Sequence, residues 1–391
     1  MNKRYGVLLL AVLLLALAAA GCSSSQQAEQ PAAPAEVIKI GFLGAKTGGH
    51  AHYGIETLKG MQMAVDDLNA QGGVAGKKLE IVEGDHGSNT SEAANVTQKL
   101  ITQKVSAIVG DPTTGITLTA AQICQPAKVV LLSAGAVGPG VVEIGDYIYR
   151  DTLLDSVAAP AVTKYLANEL KWKKVVVVTT TGLPYSEGLT GIFKPALIQN
   201  GIEIVAEQSI MEKDTNFSAQ VTSLAQKQFD GVVFTGYYTE GALFMKEMRK
   251  QGLNQVMVGG DGLLGKELYQ LGEKAVEGSM VYAGFAADEK NAAGVTKQFI
   301  DKYKNKFGTL PDMFASQGYD AVMILAGAMK QSNSGDPTVF KTALAQTKNF
   351  QGVTGNISFD SRREPIKSPV YLLEVKDAAF SVKSVIPVAQ P

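Results

Sequence analysis

The sequence predicts an α/β protein built of two doubly wound parallel-sheet lobes. Two observations carry this reading. Short apolar runs of strand length alternate with helical patterns, and the whole alternation occurs twice. Strand candidates begin at residues 38, 79, 107 and 129 in the first copy and at 175, 203, 232 and 256 in the second. A repeat of that length is a repeated βαβα plan rather than a solenoid unit.

In the first copy the strands are Ile38–Leu43, Leu79–Val82, Ala107–Val109 and Val129–Leu132, and Leu58, Met61, Val65 and Leu68 share one face of the helix after the first. The pattern restarts around Tyr149-Arg150-Asp151. Strands then follow at Val175–Val178, Glu203–Val205, Val232–Phe234 and Val256–Val258, with helices over Ser186–Gln199 and Thr239–Lys250. Nearly continuous apolar strands separated by helices make parallel sheets covered on both faces. The C-terminal third is less regular. Val281–Ala283 reads as a strand, Ala293–Phe307, Ser316–Gln331 and Pro337–Gln346 as helices, and Asn356–Phe359 and Val370–Val375 as strands. Those helices are too many for the second sheet alone, so some should return to the first lobe. The expected division is 36–150 plus 284–359 for the first lobe and 151–283 plus 360–391 for the second.

Ahead of the lobes, Lys3 and Arg4 precede the apolar run Val7–Leu17, which ends in Ala18-Ala-Ala-Gly-Cys22. A basic start, a short hydrophobic core and small residues at the cleavage point make a secretory signal over residues 1–21. The run is too short for a membrane span. Ala-Ala-Gly-Cys resembles a bacterial lipobox, which implies that Cys22 carries lipid; a plain signal peptide is the simpler alternative. Residues 22–35, rich in Ser, Gln, Ala and Pro, read as a flexible tether. The expected location is therefore exported, periplasmic or cell-surface, and anchored to a bacterial membrane.

Charge and cysteines narrow the function classes. The formal net charge of −1 becomes −3 once Lys3 and Arg4 are removed, which offers nothing to nucleic acid. Of the two cysteines, Cys22 lies in the lipobox and Cys124 stands alone on an apparent helix as a small apolar residue. No disulfide supports the fold, so core packing must.

The organising stretch is Val105–Thr119. Ala107–Val109 ends at the turn formers Gly110, Asp111 and Pro112, and Thr113, Thr114 and Gly115 open a helix. Free backbone N–H groups, the positive end of the helix dipole and two hydroxyls make a cradle for an anion. Next to it, Val129–Leu132 runs into Ser133-Ala-Gly135-Ala-Val137. Parallel sheets bind ligands beyond the C-terminal ends of their strands. At those positions the second copy offers Thr179–Tyr185, Thr235–Tyr238 and Gly259–Gly262. Hydroxyls and backbone donors on one lobe face aromatic rings and Asp261 on the other. A zwitterion needs both sets, because neither of its charges is buried cheaply without a partner. Each loop alone also reads as an ordinary turn.

Several motifs together resemble the periplasmic leucine/isoleucine/valine-binding protein family, over nearly all of the mature chain. They are Ile40-Gly-Phe-Leu-Gly44, Tyr53-Gly54, Gly60-Met-Gln-Met-Ala64, Asn69-Ala-Gln-Gly-Gly73, Tyr185-Ser-Glu-Gly188, Phe217-Ser218, Gly236-Tyr-Tyr238 and Gly260-Asp-Gly262. The resemblance implies a type I periplasmic binding fold, with two lobes joined by a three-crossover hinge that close over an amino acid. It also implies an ABC importer as partner. Thr114 would meet the ligand carboxylate and the Gly135 backbone its head group. Asp261 would pair with the ammonium beside Tyr237, and Tyr53, Tyr185 and Phe314 would wall the pocket. Two positions depart from the family. Val137 stands where a threonine is common, and Gly87 and Thr113 replace the cysteines of a disulfide found in some members.

The chain's only histidines, His50, His52 and His86, each follow a strand of the first copy. With Asp85 they could converge on a metal, but the preferred reading has them lining the cleft, His52 and His86 above all, or solvated on loops. Enzyme signatures are missing: there is no phosphate loop, no Gly-x-Gly-x-x-Gly after the first strand and no Gly-x-Ser-x-Gly elbow. The sequence therefore predicts a monomeric, cofactor-free, metal-free binding protein for a small amino acid, branched-chain or otherwise neutral. The alternatives are a sensor signalling to a membrane receptor, or a binder of a small carboxylate or amide.

Overall fold

The computed structural model describes residues 36–388, so the signal segment, Cys22 and the whole tether lie outside the described residues. The first sheet holds β1 (Val37–Gly44), β2 (Lys78–Asp85), β3 (Ala107–Gly110), β4 (Val130–Ser133) and β5 (Ile148–Arg150), in the order β2-β1-β3-β4-β5, all parallel. Helices α1 (Ala51–Ala70), α2 (Thr90–Thr102) and α3 (Thr114–Ala127) connect them. Every residue of β3 and β4 is buried, as strands covered on both faces require.

The chain then passes to a second sheet. Its elements are α4 (Asp155–Asn168), β6 (Lys174–Thr180), α5 (Pro184–Gln199), β7 (Glu203–Ile210), α6 (Ser218–Thr222), β8 (Gly231–Phe234), α7 (Tyr238–Lys250), β9 (Val256–Gly259), α8 (Lys266–Gly272) and β10 (Met280–Ala283). After β10, helices α9 (Gly294–Phe307), α10 (Met313–Ser332) and α11 (Pro337–Ala345) return to the first sheet's side. There Met63 of α1 packs with Phe299 and Tyr303 of α9 and Ala315 of α10. The α1–α10 contact is close because it is made by glycines. A Cβ on Gly60 would lie 1.8 Å from the Ala315 carbonyl oxygen, and one on Gly318 2.3 Å from that of Thr57.

A small antiparallel sheet, β11 (Phe350–Gly352), β12 (Gly355–Phe359) and β13 (Pro365–Ile366), leads back to the second sheet. The sequence predicts a parallel second sheet, and the structure differs at one end. Its order is β15-β14-β10-β9-β8-β6-β7, and β14 (Val370–Lys376) runs antiparallel to both β10 and β15 (Ala379–Ile386). For β15 the reason is local. Asp377 and Ala378, at φ 52° and 54°, form a two-residue turn after β14, and such a turn can only return the chain antiparallel.

Three chain passages thus link the two sheets, and buried charges tie the first to the third. Arg150 donates through Nε to Glu364 Oε2 at 2.6 Å, and Lys367 through Nζ to Asp151 Oδ1 and Thr354 Oγ1, both at 2.7 Å. Cys124 is buried and free among the described residues, and burial pushes its thiol up to about 12.

Candidate functional site

The strand ends of both sheets meet around one small, tightly closed pocket. Tyr53 near the start of α1, Pro112 and Thr113 after β3, Val137 after β4 and Phe314 on α10 form one side. Tyr185 at the start of α5, Tyr237 after β8 and Asp261 and Gly262 after β9 form the other. Strand ends position each of these except Phe314, because parallel strands place their loops on one edge. Tyr185 and Tyr237 stack with centroids 5.3 Å apart and planes 4° from parallel, and Tyr53 leans on Phe314 at 4.7 Å. The Tyr53 hydroxyl donates to the Gly262 carbonyl at 2.6 Å, so the two sides touch directly.

Asp261 carries the electrostatics. It is 5 % exposed. Burial, and then the charge of Asp155, hold its carboxyl well above the usual carboxylate range, while a hydrogen bond with Tyr185 partly offsets them. Among the described residues no cation offsets this, since the buried Arg150 and Lys367 are committed at the crossovers. A buried carboxyl with no counter-ion is suited to a cation brought from outside.

Opposite it, Thr113 lines the pocket with its hydroxyl hydrogen turned to a neighbouring side chain. Its Oγ1 and backbone N both donate to Asp111 Oδ1, while Asp111 Oδ2 meets His86 Nε2 at 2.8 Å. Ser133 likewise lies behind the wall, donating to the Asp111 carbonyl at 2.8 Å and accepting from Ala136 N at 3.0 Å. Gly135 continues this loop, where a Cβ would lie 2.7 Å from that of Pro112. Thr114 Oγ1 accepts from Gly138 N at 3.1 Å, which leaves its hydroxyl hydrogen to donate.

None of the three histidines lines the enclosure. His86 is buried against Asp111, His52 bonds Asp312 Oδ2 through Nε2 at 2.7 Å, and His50 packs on Tyr237 with centroids 4.4 Å apart. Asp85 accepts from Lys46 N and Gly87 N. Among the described residues no cluster of histidine, cysteine and acidic side chains is arranged to hold a metal.

Two features escaped the sequence reading. Pro112 and Gly262 complete the wall, although both sit inside loops already singled out. Asp155, the first residue of α4, is fully buried. It accepts from the Tyr282 hydroxyl at 2.6 Å, its Oδ2 has no hydrogen-bond partner, and burial raises its carboxyl to about 7. In the sequence it reads only as an acid in a helix's first turn.

Two mainly parallel sheets with strand ends facing across a pocket define a two-lobed binding fold, and the comparisons agree. The sequence model of the family described as periplasmic binding protein matches residues 37–379, and the chain belongs to that family. Among its relatives is a branched-chain amino acid transporter substrate-binding protein of Streptococcus pneumoniae, solved in complex with isoleucine. It is 35 % identical with a TM-score of 0.84, covering 91 % of this chain and all of that one. A leucine-binding protein of Thermotoga maritima has a TM-score of 0.85 at 30 % identity, over 89 % of this chain and 98 % of its own. The leucine-, isoleucine-, valine-, threonine- and alanine-binding protein of Pseudomonas aeruginosa is 28 % identical over 90 % of this chain and 91 % of its own.

Proposed function

We propose that this protein is the substrate-binding component of an ABC importer and that it captures a neutral amino acid, branched-chain by preference, between its lobes. The observation that carries the reading is Asp261, a buried carboxyl without a cation, facing the donor-rich loops after β3 and β4 across an aromatic-walled enclosure. The ammonium would pair with Asp261, and the carboxylate would meet the Thr114 hydroxyl and the backbone at Gly135. Tyr53, Val137 and Phe314 would hold an apolar side chain. The isoleucine seen with the Streptococcus pneumoniae relative supports that ligand class. A ligand that bridges both lobes binds the closed arrangement better and so shifts the population toward it. The expected hinge is the set of passages at Arg150–Thr152, Ala283–Gly284 and Phe359–Ser368, between lobes 36–150 plus 284–359 and 151–283 plus 360–391. In support, each sheet draws its strands from one of these sets, except that the β13 strand of the small sheet lies within the last passage. A thermal-shift screen of the amino acids, with calorimetry on the hits, tests the ligand. Isoleucine, leucine or valine should raise the melting temperature, and a flat response to all amino acids would sink the reading.

Anchoring through Cys22 belongs to the same proposal and is supported by Ala20-Gly-Cys22 and the tether after it. Changing Cys22 to Ala should release the protein from membranes into the soluble exported fraction. Persistent membrane fractionation of the variant would contradict a lipid at that residue.

A further inference from the structure

Residues 49–53, which lead into α1, make four polar contacts with elements of the second sheet. The Tyr53 hydroxyl donates to Gly262, and the Tyr238 hydroxyl donates to the Gly49 carbonyl at 2.6 Å. His50 Nε2 lies 3.4 Å from Glu212 Oε1, and His52 Nδ1 lies 3.4 Å from Glu267 Oε2. His52 therefore has a carboxylate at each ring nitrogen, because Nε2 meets Asp312. A neutral imidazole has one N–H and one lone pair, and that lone pair would face a carboxylate oxygen. Only the imidazolium satisfies both neighbours. Glu267 Oε2, for its part, is buried and makes no hydrogen bond, so a charged His52 is what offsets its desolvation.

The two carboxylates differ in where they sit. Asp312 caps α10, which packs on α1, so it stays with His52 when the lobes part. Glu267 lies on α8 beside the second sheet and would leave. We propose that the His52–Glu267 pair is a proton-dependent latch on lobe closure, an inference that rests on the reading that the lobes close over an amino acid. Closure gives His52 its second carboxylate and so strengthens its hold on the proton. The latch contributes fully below the open-state pKa of His52 and is lost as pH rises through the closed-state value.

The surroundings agree with that sign. Burial lowers the pKa of His52, but Asp312, Glu267 and Glu56 together raise it above the ordinary value. The other faces of the ring meet Tyr53, Tyr238 and Phe314 edge-on at 6.3–6.4 Å. His50 behaves oppositely. Burial, aided by His86 and Lys213, lowers its pKa despite Glu212 and Asp111, so its surroundings disfavour the charged form. The latch is therefore read from the difference between variants rather than from the total pH slope.

The test is calorimetric titration of L-isoleucine into wild type, His52→Gln, Glu267→Gln and the double variant, at about pH 6 and about pH 8.5, on either side of the histidine range. At the lower pH each single change should weaken binding about three- to tenfold, and the double should be no worse than either. At the higher pH the singles should approach wild type. Additive losses, or coupling of equal size at both pH values, would overturn the latch. In the isoleucine-bound protein, the NMR titration midpoint of His52 should fall in Glu267→Gln, and an unchanged midpoint would also overturn it. If wild type binds no amino acid, the ligand reading falls first, before any variant is compared, and the latch falls with it.

Discussion

Replacing Asp261 with asparagine should leave folding intact and weaken amino-acid binding by about 2–5 kcal/mol, roughly thirtyfold to several-thousandfold. The substitution is nearly isosteric, and burial already holds the Asp261 carboxyl toward its protonated form, so the empty protein loses little. The complex loses much, because the ligand's ammonium would then be buried beside an amide. Thr114→Val should cost less, since it removes one hydroxyl and leaves the backbone donors in place. The same geometry fixes a sign for pH. An ammonium favours ionised Asp261, so binding pulls the raised carboxyl toward release of its proton. Affinity should therefore rise with pH until it passes the raised pKa of the free protein. Calorimetry in two buffers of different ionisation enthalpy reads that proton directly. Unchanged or tighter binding by Asp261→Asn would mean a ligand without an ammonium group, such as a simple carboxylic acid.

Asp261 was legible in the sequence because it follows an apolar strand and sits between glycines, and strand ends are where parallel sheets bind. The loops after β3 and β4 were legible for the same reason. What those loops do with their polar atoms was not. Thr113 and Ser133 read as ligand donors, yet Thr113 bonds the Asp111 carboxylate two residues before it and Ser133 bonds the Asp111 carbonyl, and a strand-end pattern does not show which way a hydroxyl turns. The histidines show the same limit. Their position after strands was visible, but their partners Asp111, Glu212, Glu267 and Asp312 are remote in the chain. The strand β15 was missed for a different reason. Its residues alternate with Lys383, Ser381 and Ser384 at a sheet edge, and its turn is Asp377-Ala378 rather than the Asn-Gly or Asp-Gly that signals a hairpin. Strand β5 is three residues long, too short for periodicity to register.

The second large effect should come from Arg150, where stability and binding share one side chain. Its Nη1 donates to the carbonyls of Ala136, at 3.0 Å, and Gly138, which flank the pocket residue Val137, while Nε and Nη2 grip Glu364 in the last passage between the sheets. The side chains of this pair are only 4 % and 9 % exposed. Arg150→Met would strand the Glu364 carboxylate, and breaking a buried pair from one side costs about 3–5 kcal/mol. That is a large part of the stability of most domains. Urea unfolding should show this loss in Arg150→Met, and a comparable one in Glu364→Gln, which strands the cation instead. The double variant should recover part of it, because no unpaired charge remains. Full recovery is not expected, since the Ala136 and Gly138 carbonyls still lack their donor. That residue of the effect should appear in binding, because the loop that places Val137 against the ligand is no longer held. A cost below about 1 kcal/mol for Arg150→Met would place this pair with exposed ion pairs and remove the argument that it braces the crossovers.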